Sequence, residues 1–474
     1  MTAYIFFKEL QNYLLNRSIL FTWGVIIVLF ALNASVYVFH SKDMFQKHEN
    51  NVALNYRNLI YDEEALVFKG EEVIRTLPTM VFHQQKIHNR PSRLSFISGT
   101  AEGIVPDGVS MRMLEEPAFE NFAQYNPHVN SHLSIDWTSL MIYVISFLCL
   151  CFSYNAFSGE REDGTLKLML ANSMSRSSII FAKYAGLLVV FMLPIIVGIM
   201  LSCLIFEMSP AVHLQLADYA KIGWFFFVSV LMVSFTIMLG FFVSSLTKSS
   251  YVSLIVCLLC WTLMAIVVPN ISWIISSQVN KVPTATVINQ EKEQQLRALE
   301  NCYMGWRGDQ SSEQTARDRK DCIDRRTAIH NSLWSDYHNR QMAQTNSAIE
   351  LSKISPFGLF RFLGDKISGN NFHGYVRFLR HVKNYQLTFQ DYVVSKDNAD
   401  PESRRIFSNE WHQFYENFMS RQLIVPGEVP QFTAQSQTFR ELVADSLVDV
   451  AILCFWVIGL FTAAFVAFVR YDVR

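Results

Sequence analysis

The chain has 474 residues, of which 51% are hydrophobic and only 17% charged, and its formal net charge is −1. Soluble domains average about 25% charged residues, so this composition points to a membrane protein. A near-neutral chain offers no bulk electrostatic basis for binding nucleic acid, and its charges are unevenly placed, dense over 281–345 and sparse in several long apolar windows.

Residues 2–15 put Phe6, Leu10, Tyr13 and Leu14 near one helical face, with Lys8, Gln11 and Asn12 off it. The pattern predicts an interfacial helix on the cytoplasmic leaflet, the plainer alternative being the start of one long helix. Six runs are long and apolar enough to span a bilayer, at 18–40, 137–157, 184–206, 222–246, 251–275 and 446–469. The first run has no small-x-small cleavage site after it, so it is expected to stay as an anchor. Lys8, Arg17, Arg161, Lys167, Arg176, Lys183, Lys248, Arg470 and Arg474 fall on one side if both termini are cytoplasmic. The positive-inside rule then predicts N-in, C-in, and the membrane is expected to be a bacterial inner membrane, as the resemblance given below implies.

The expected fold is mainly α: six transmembrane helices with a largely helical extracytoplasmic domain carrying a few short strands. The organisation is an interfacial helix and first span (1–40), an extracytoplasmic segment (41–135), spans two to five (136–275), an extracytoplasmic insertion (276–445), and the last span with its tail (446–474). Few breakers occur over 43–75, so the first helix is expected to project beyond the bilayer. From Pro78 to Pro127 prolines and glycines punctuate short pieces, with strands predicted near 92–98 and 108–114. Pro194 predicts a kink in span three. In the insertion, Asn289–Met304 and Ser311–Ile354 read as antiparallel helices joined near Gly305–Gly308. The aromatic stretch Ile354–Gly364 fits either the outer leaflet or a packed position. Further helices are expected at about 371–395 and 401–420.

Between spans two and three lies the most charged short segment near the membrane, Ser158–Leu170. Glu160, Arg161, Glu162, Asp163 and Lys167 cannot sit in hydrocarbon, so the chain leaves the membrane there and returns. The blandest reading is a solvated loop, and the sharper one a contact surface for a cytoplasmic partner.

Catalytic signals are missing. There is no Gly-x-x-x-x-Gly-Lys-Ser/Thr loop, so this chain is not expected to hydrolyse ATP, and no metalloprotease or nucleophile-elbow motif. No cofactor or metal is implied, since the histidines lack partners at ligand spacing. Asp136, Asp445 and Asp449 fall at span ends where water is expected to reach them, unlike a deep proton relay. Of eight cysteines, six lie in spans and read as small apolar residues. Cys302 and Cys322 flank the predicted helix–helix turn on the oxidising side, so a disulfide between them is expected.

The segment Tyr154-Asn-x-x-Ser-Gly-Glu-Arg-Glu-Asp-Gly-Thr-Leu166, followed by Leu168, Leu170, Ser175-Arg176 and Lys183, resembles the ABC-2 type transporter permeases. It looks closest to a bacterial branch with a large extracytoplasmic insertion, a domain of unknown function, between the last two spans. Asn126-Pro127 before Asp136, and Ser355-Pro356 followed by Gly369-Asn-Asn, His373, Phe378 and Tyr385, add to the resemblance. Met174 departs from it, standing where the family often has proline. The resemblance implies a non-catalytic permease that pairs with a second permease, identical or paralogous, and with two cytoplasmic ATPase subunits. Residues 158–172 would then be the coupling helix. Glu160 and Glu162 would meet bases on the ATPase, with Arg161 and Asp163 beside them. Gly164 would allow the turn, and Thr165 would cap a short helix beginning at Leu166. Membrane lipid and an extracytoplasmic protein are further expected partners; nucleic acid is not. The other reading is a membrane-anchored extracytoplasmic scaffold or sensor without a transport path.

Overall fold

The computed structural model describes residues 2–61, 73–99, 108–119, 136–165, 175–210, 212–297, 313–406, 418–434 and 437–470. The protein is a mainly α membrane protein. Among the described residues six helices are long and apolar enough to cross a membrane. They are α2 (Arg17–Ile60), α4 (Trp137–Glu162), α5 (Arg176–Glu207), α6 (Leu216–Leu246), α7 (Ser250–Val279) and α12 (Phe439–Val469), taken below as spans one to six. A short helix, α1 (Thr2–Leu14), precedes them and packs along span three. The side chain of Asn16 accepts from the Ser18 amide at 3.0 Å and so starts span one.

Span one has 44 residues, a length of about 66 Å at 1.5 Å per residue. That is roughly twice the hydrocarbon thickness, so its second half projects, as its sparse breakers predict. Ile26, Phe30, Ala34 and Tyr37 recur at helical spacing and are buried. Their face packs on span three, where a Cβ on Gly198 would stand 2.9 Å from the Phe30 ring. Span three runs unbroken through Pro194. Span four is the most enclosed, and Gly240 lets it approach span two so closely that a Cβ there would overlap the Ser153 hydroxyl.

The projecting half of span one carries the domain at that end of the bundle. Strands β1 (Gln85–His88), β2 (Gly108–Met111) and β3 (Ala118–Phe119) form an antiparallel sheet in that order, with Ile87 opposite Val109 and Ser110 opposite Ala118. The expected strand near 108–114 is thus present, and the one near 92–98 is not. Phe96 and Ile97 are consecutive and both buried in the core of the span bundle, at the junction with span two. The segment instead folds as a turn, with the Ile97 amide donating to the Leu94 carbonyl at 2.9 Å. Its Phe96 and Ile97 carbonyls accept from the Trp137 and Thr138 amides, each at 3.0 Å, at the start of span two.

A long helix from the later segment covers the sheet. In α11 (Phe372–Ala399) Tyr375, Phe378, Val382 and Tyr385 meet Ile87, Val109 and Met111. Further along, Phe389 and Val393 join Leu59, Ile60, Leu77 and Met80. The segments before span two and after span five therefore share their cores. The expected helix pair appears as α8 (Ala285–Arg297) and α9 (Glu313–Ser352); the predicted joint at Gly305–Gly308 and most of 401–420 lie outside the described residues.

Ile354–Gly364 takes the packed position. Helix α10 (Pro356–Ser368) is buried over most of its length, with Phe357, Leu359, Phe360, Leu363 and Ile367 in the core of the span bundle. The Ser355 hydroxyl donates to the Met264 carbonyl at 2.6 Å. Met264 lies midway along span five and inside a π turn, Leu263–Val267. The end of α9 and the whole of α10 thus form a hairpin that enters the bundle from the domain end and reverses at the level of mid-span. Glycines permit this. A Cβ on Gly358 would overlap the Ser352 carbonyl, and one on Gly364 would overlap the Thr138 hydroxyl. Phe357 and Phe360 meet Phe235 and Phe225 of span four, with ring centroids 5.8 Å apart in each pair.

Candidate functional site: the charged turn after span two

The turn lies at the end of the bundle away from the domain. Span two brings the chain to Tyr154, and Ser244 of span four then holds it. The Phe157 and Ser158 amides both donate to the Ser244 hydroxyl at 3.0 Å. From span five the Ser253 hydroxyl donates to the Tyr154 carbonyl at 2.6 Å. These bonds fix the backbone from which the charged side chains project.

Each charge then engages a different helix end. Glu160 pairs with Lys183 of span three at 2.7 Å, and Lys183 also meets Glu9 of α1 at 3.2 Å. The Lys183 side chain is only 5% exposed, so two carboxylates compensate one desolvated ammonium. Burial pushes the neighbouring Tyr13 phenol up to about 12, against the pull of Lys183. Arg161 donates to the Thr247 and Ser245 carbonyls, both at 2.7 Å, and so caps the end of span four. Glu162 accepts from the Ser250 amide at 3.1 Å and its hydroxyl at 2.6 Å, at the start of span five. Arg176, at the start of span three, donates to the Val469 carbonyl at 2.6 Å and closes span six. These bonds to charged groups tie together α1 and spans three to six.

Both Glu160 and Glu162, expected to face a partner's bases, have partners inside the chain. The physical reason is the bundle's own demand: exposed carbonyls at helix C-termini attract cations and free amides at N-termini attract anions. Asp163 is exposed and follows the last helical turn. Gly164 has φ +72° with open space around its Cα, so its glycine serves conformation, not packing. The Thr165 hydroxyl donates back to the Glu160 carbonyl at 3.3 Å. Leu166 and the helix expected to follow it lie outside the described residues.

Sequence reasoning named Lys183 and Arg176 only as loop charges. Their helix partners could have been suspected from a lysine well inside an apolar helix, which needs a counter-ion. Two carboxylates expected to reach water are buried instead. Asp136 is 2% exposed and caps span two through the Ser139 amide at 2.6 Å, and Asp449 is 6% exposed beside Lys366 at 2.7 Å. Cys322 is disulfide-bonded and the six span thiols are free; Cys302 lies outside the described residues. No group of three or more metal-ligating side chains occurs among the described residues.

Six spans, a charged turn fastened to their ends, and a domain at the opposite end define a multi-pass membrane protein. The family model described as ABC-2 family transporter protein matches residues 3–473, nearly the whole chain. The protein belongs to that family. No curated protein matches the chain.

Proposed function

We propose that the protein is the permease subunit of an ATP-driven transporter, and that its charged turn transmits force from a separate ATPase. The observation that carries this reading is the set of contacts made by Glu160, Arg161 and Glu162. Consecutive residues fasten the turn to α1 and spans three, four and five. A push on such a turn is a push on the bundle, so rigid-body tilting follows without a flexible link. Span four then carries motion to the hairpin through Phe225 and Phe235.

In this reading the carboxylates bonded to the bundle transmit and the rest of the turn docks. Asp163 and residues 166–172 present the contact surface for the ATPase, and the turn lies on the cytoplasmic side with both termini. The domain at the other end is extracytoplasmic, and Cys322 pairs with Cys302 there. A second permease packs along the apolar faces that spans five and six leave open. Two variants separate docking from transmission. Asp163→Lys is expected to reduce co-purification of the ATPase, while Arg161→Ala leaves co-purification intact and lowers the ATPase stimulation measured in the complex. Undiminished binding and stimulation in both would remove the turn from the coupling role.

A further inference from the structure

The domain meets the outer ends of spans four and six around a cleft of about 460 Å³. Five cationic side chains line it, Arg90, Arg93, Lys221, Lys366 and Arg377, against a single lining acid, Asp218. Three of the five are spoken for: Arg93 faces Asp218 at 3.6 Å, Lys366 pairs with Asp449 at 2.7 Å, and Arg377 stands 3.9 Å from Asp445. Arg90 and Lys221 have no ion pair among the described residues. Positive charge therefore exceeds negative charge in the cleft even when the acids behind its wall are counted. The N-caps of three helices, Gln215, Asn371 and Thr438, open onto the same space, but their first amides already bond to Asp218, Asn371 and Glu441, so the excess positive charge is that of the side chains.

The wall is built before any ligand arrives. The Tyr37 hydroxyl donates to the Arg93 carbonyl at 2.8 Å. The Ser92 hydroxyl donates to the Ser368 carbonyl, and the Asn370 amide group donates to the Ser95 hydroxyl at 2.9 Å. Gly369, at φ +80°, ends α10 with its Cα beside Ser92. These bonds fix the wall in place, and a preorganised wall lowers the cost of binding a ligand.

Depth selects the source of that anion. Ala217 and Lys221 belong to the first turns of span four, and Phe439 and Leu442 to those of span six. The cleft therefore opens at the hydrocarbon boundary, where headgroups lie, and has apolar side chains on its membrane side. We propose that it binds the phosphate of an anionic lipid headgroup from the leaflet on the domain side. This assignment stands apart from the coupling role of the turn. Soluble phosphate offers the same chemistry to the same donors, and the test separates the two sources.

The full chain is purified in detergent and examined by native mass spectrometry with phosphatidylglycerol or phosphatidylcholine added. Phosphatidylglycerol adducts are expected to persist where phosphatidylcholine adducts do not. The Arg90→Gln/Lys221→Gln variant is expected to lose retained phosphatidylglycerol roughly thirtyfold, as loss of two lipid-facing cations implies. An exposed cation elsewhere, changed in Lys281→Gln, should have no effect. Equal retention of the two lipids by the unaltered chain overturns the proposal, and that comparison needs no variant to fold. Equal retention by the double variant, with its thermal unfolding midpoint unchanged, overturns it too. Titration calorimetry with inorganic phosphate is the second arm. No heat at millimolar phosphate supports the lipid, and saturable binding lost in the double variant shows a free-anion site and overturns the lipid assignment.

Discussion

The charged turn after span two and the hairpin of α9 and α10 both reverse the chain at the bundle, and they are held by opposite means. The turn uses charge. Four ionised side chains, from Glu160 to Glu162 and at Arg176, satisfy helix ends or a buried lysine. The hairpin uses shape. Two glycines remove the atoms that would collide, aromatic rings fill the bundle, and one hydroxyl, on Ser355, joins the tip to span five. The difference follows from where each reversal sits. At the end of the bundle helix termini offer unpaired amides and carbonyls, so charge finds work. At mid-span the neighbouring helices are already bonded, and the carbonyl that Ser355 meets, of Met264, lies in a π turn that disturbs the regular ladder.

Breaking the charged end should have the largest effect. Lys183→Met leaves Glu9 and Glu160 facing one another without their cation, and is expected to cost about 3–5 kcal/mol. Thermal unfolding of the detergent-solubilised protein would show it. Adding Glu9→Gln and Glu160→Gln to the same chain should recover most of the loss; no recovery would mean that the triad does not set the stability of this end.

The shape-based end is tested by Gly358→Ala. Its new methyl collides with the rigid Ser352 backbone, and overpacking of this kind costs about 1–3 kcal/mol. A midpoint equal to that of the unaltered protein would contradict the close approach. Ser355→Ala probes the tip more gently. It removes the N-cap of α10, whose hydroxyl accepts from the Phe357 amide at 3.2 Å, as well as the bond to Met264, and a cap loss is worth about 0.5–2 kcal/mol.

The smallest effect is expected from pH. On α9, burial lowers His338 from its ordinary value of 6.5 to about 3. The unfolded chain takes up a proton there below about 6.5, and the folded chain resists until about 3. Stability therefore falls as pH drops through that window. His338→Phe should flatten the dependence, measured as the unfolding midpoint between pH 7 and pH 5; an unchanged slope would assign the pH response to other groups.

Much of this architecture is legible in the residues alone. The six spans are apolar runs of membrane length, and hydropathy needs no neighbours to be read. The helix of span three through Pro194 and the helix over 372–399 follow from the same logic. The turn is visible because Glu160 to Asp163 cannot lie in hydrocarbon. What those charges touch is not visible, because capping partners such as Thr247 and Ser250 are remote in sequence and ordinary in type. The segment 92–98 misleads because alternation on paper resembles a strand, while its two adjacent apolar residues, Phe96 and Ile97, are both buried by the junction with span two.

Composition and periodicity by themselves determined the membrane class, the number of spans and the place where the chain turns outside them. Each rests on transfer from water to hydrocarbon, a property of a segment on its own. Tertiary structure alone decided that Ile354–Gly364 enters the bundle, that Glu160 and Glu162 find partners within the chain, and that five cations from distant segments share one cleft. Those outcomes depend on contacts across hundreds of residues, where a glycine's missing methyl or a carbonyl freed by a π turn selects between arrangements that the local sequence leaves equal in energy.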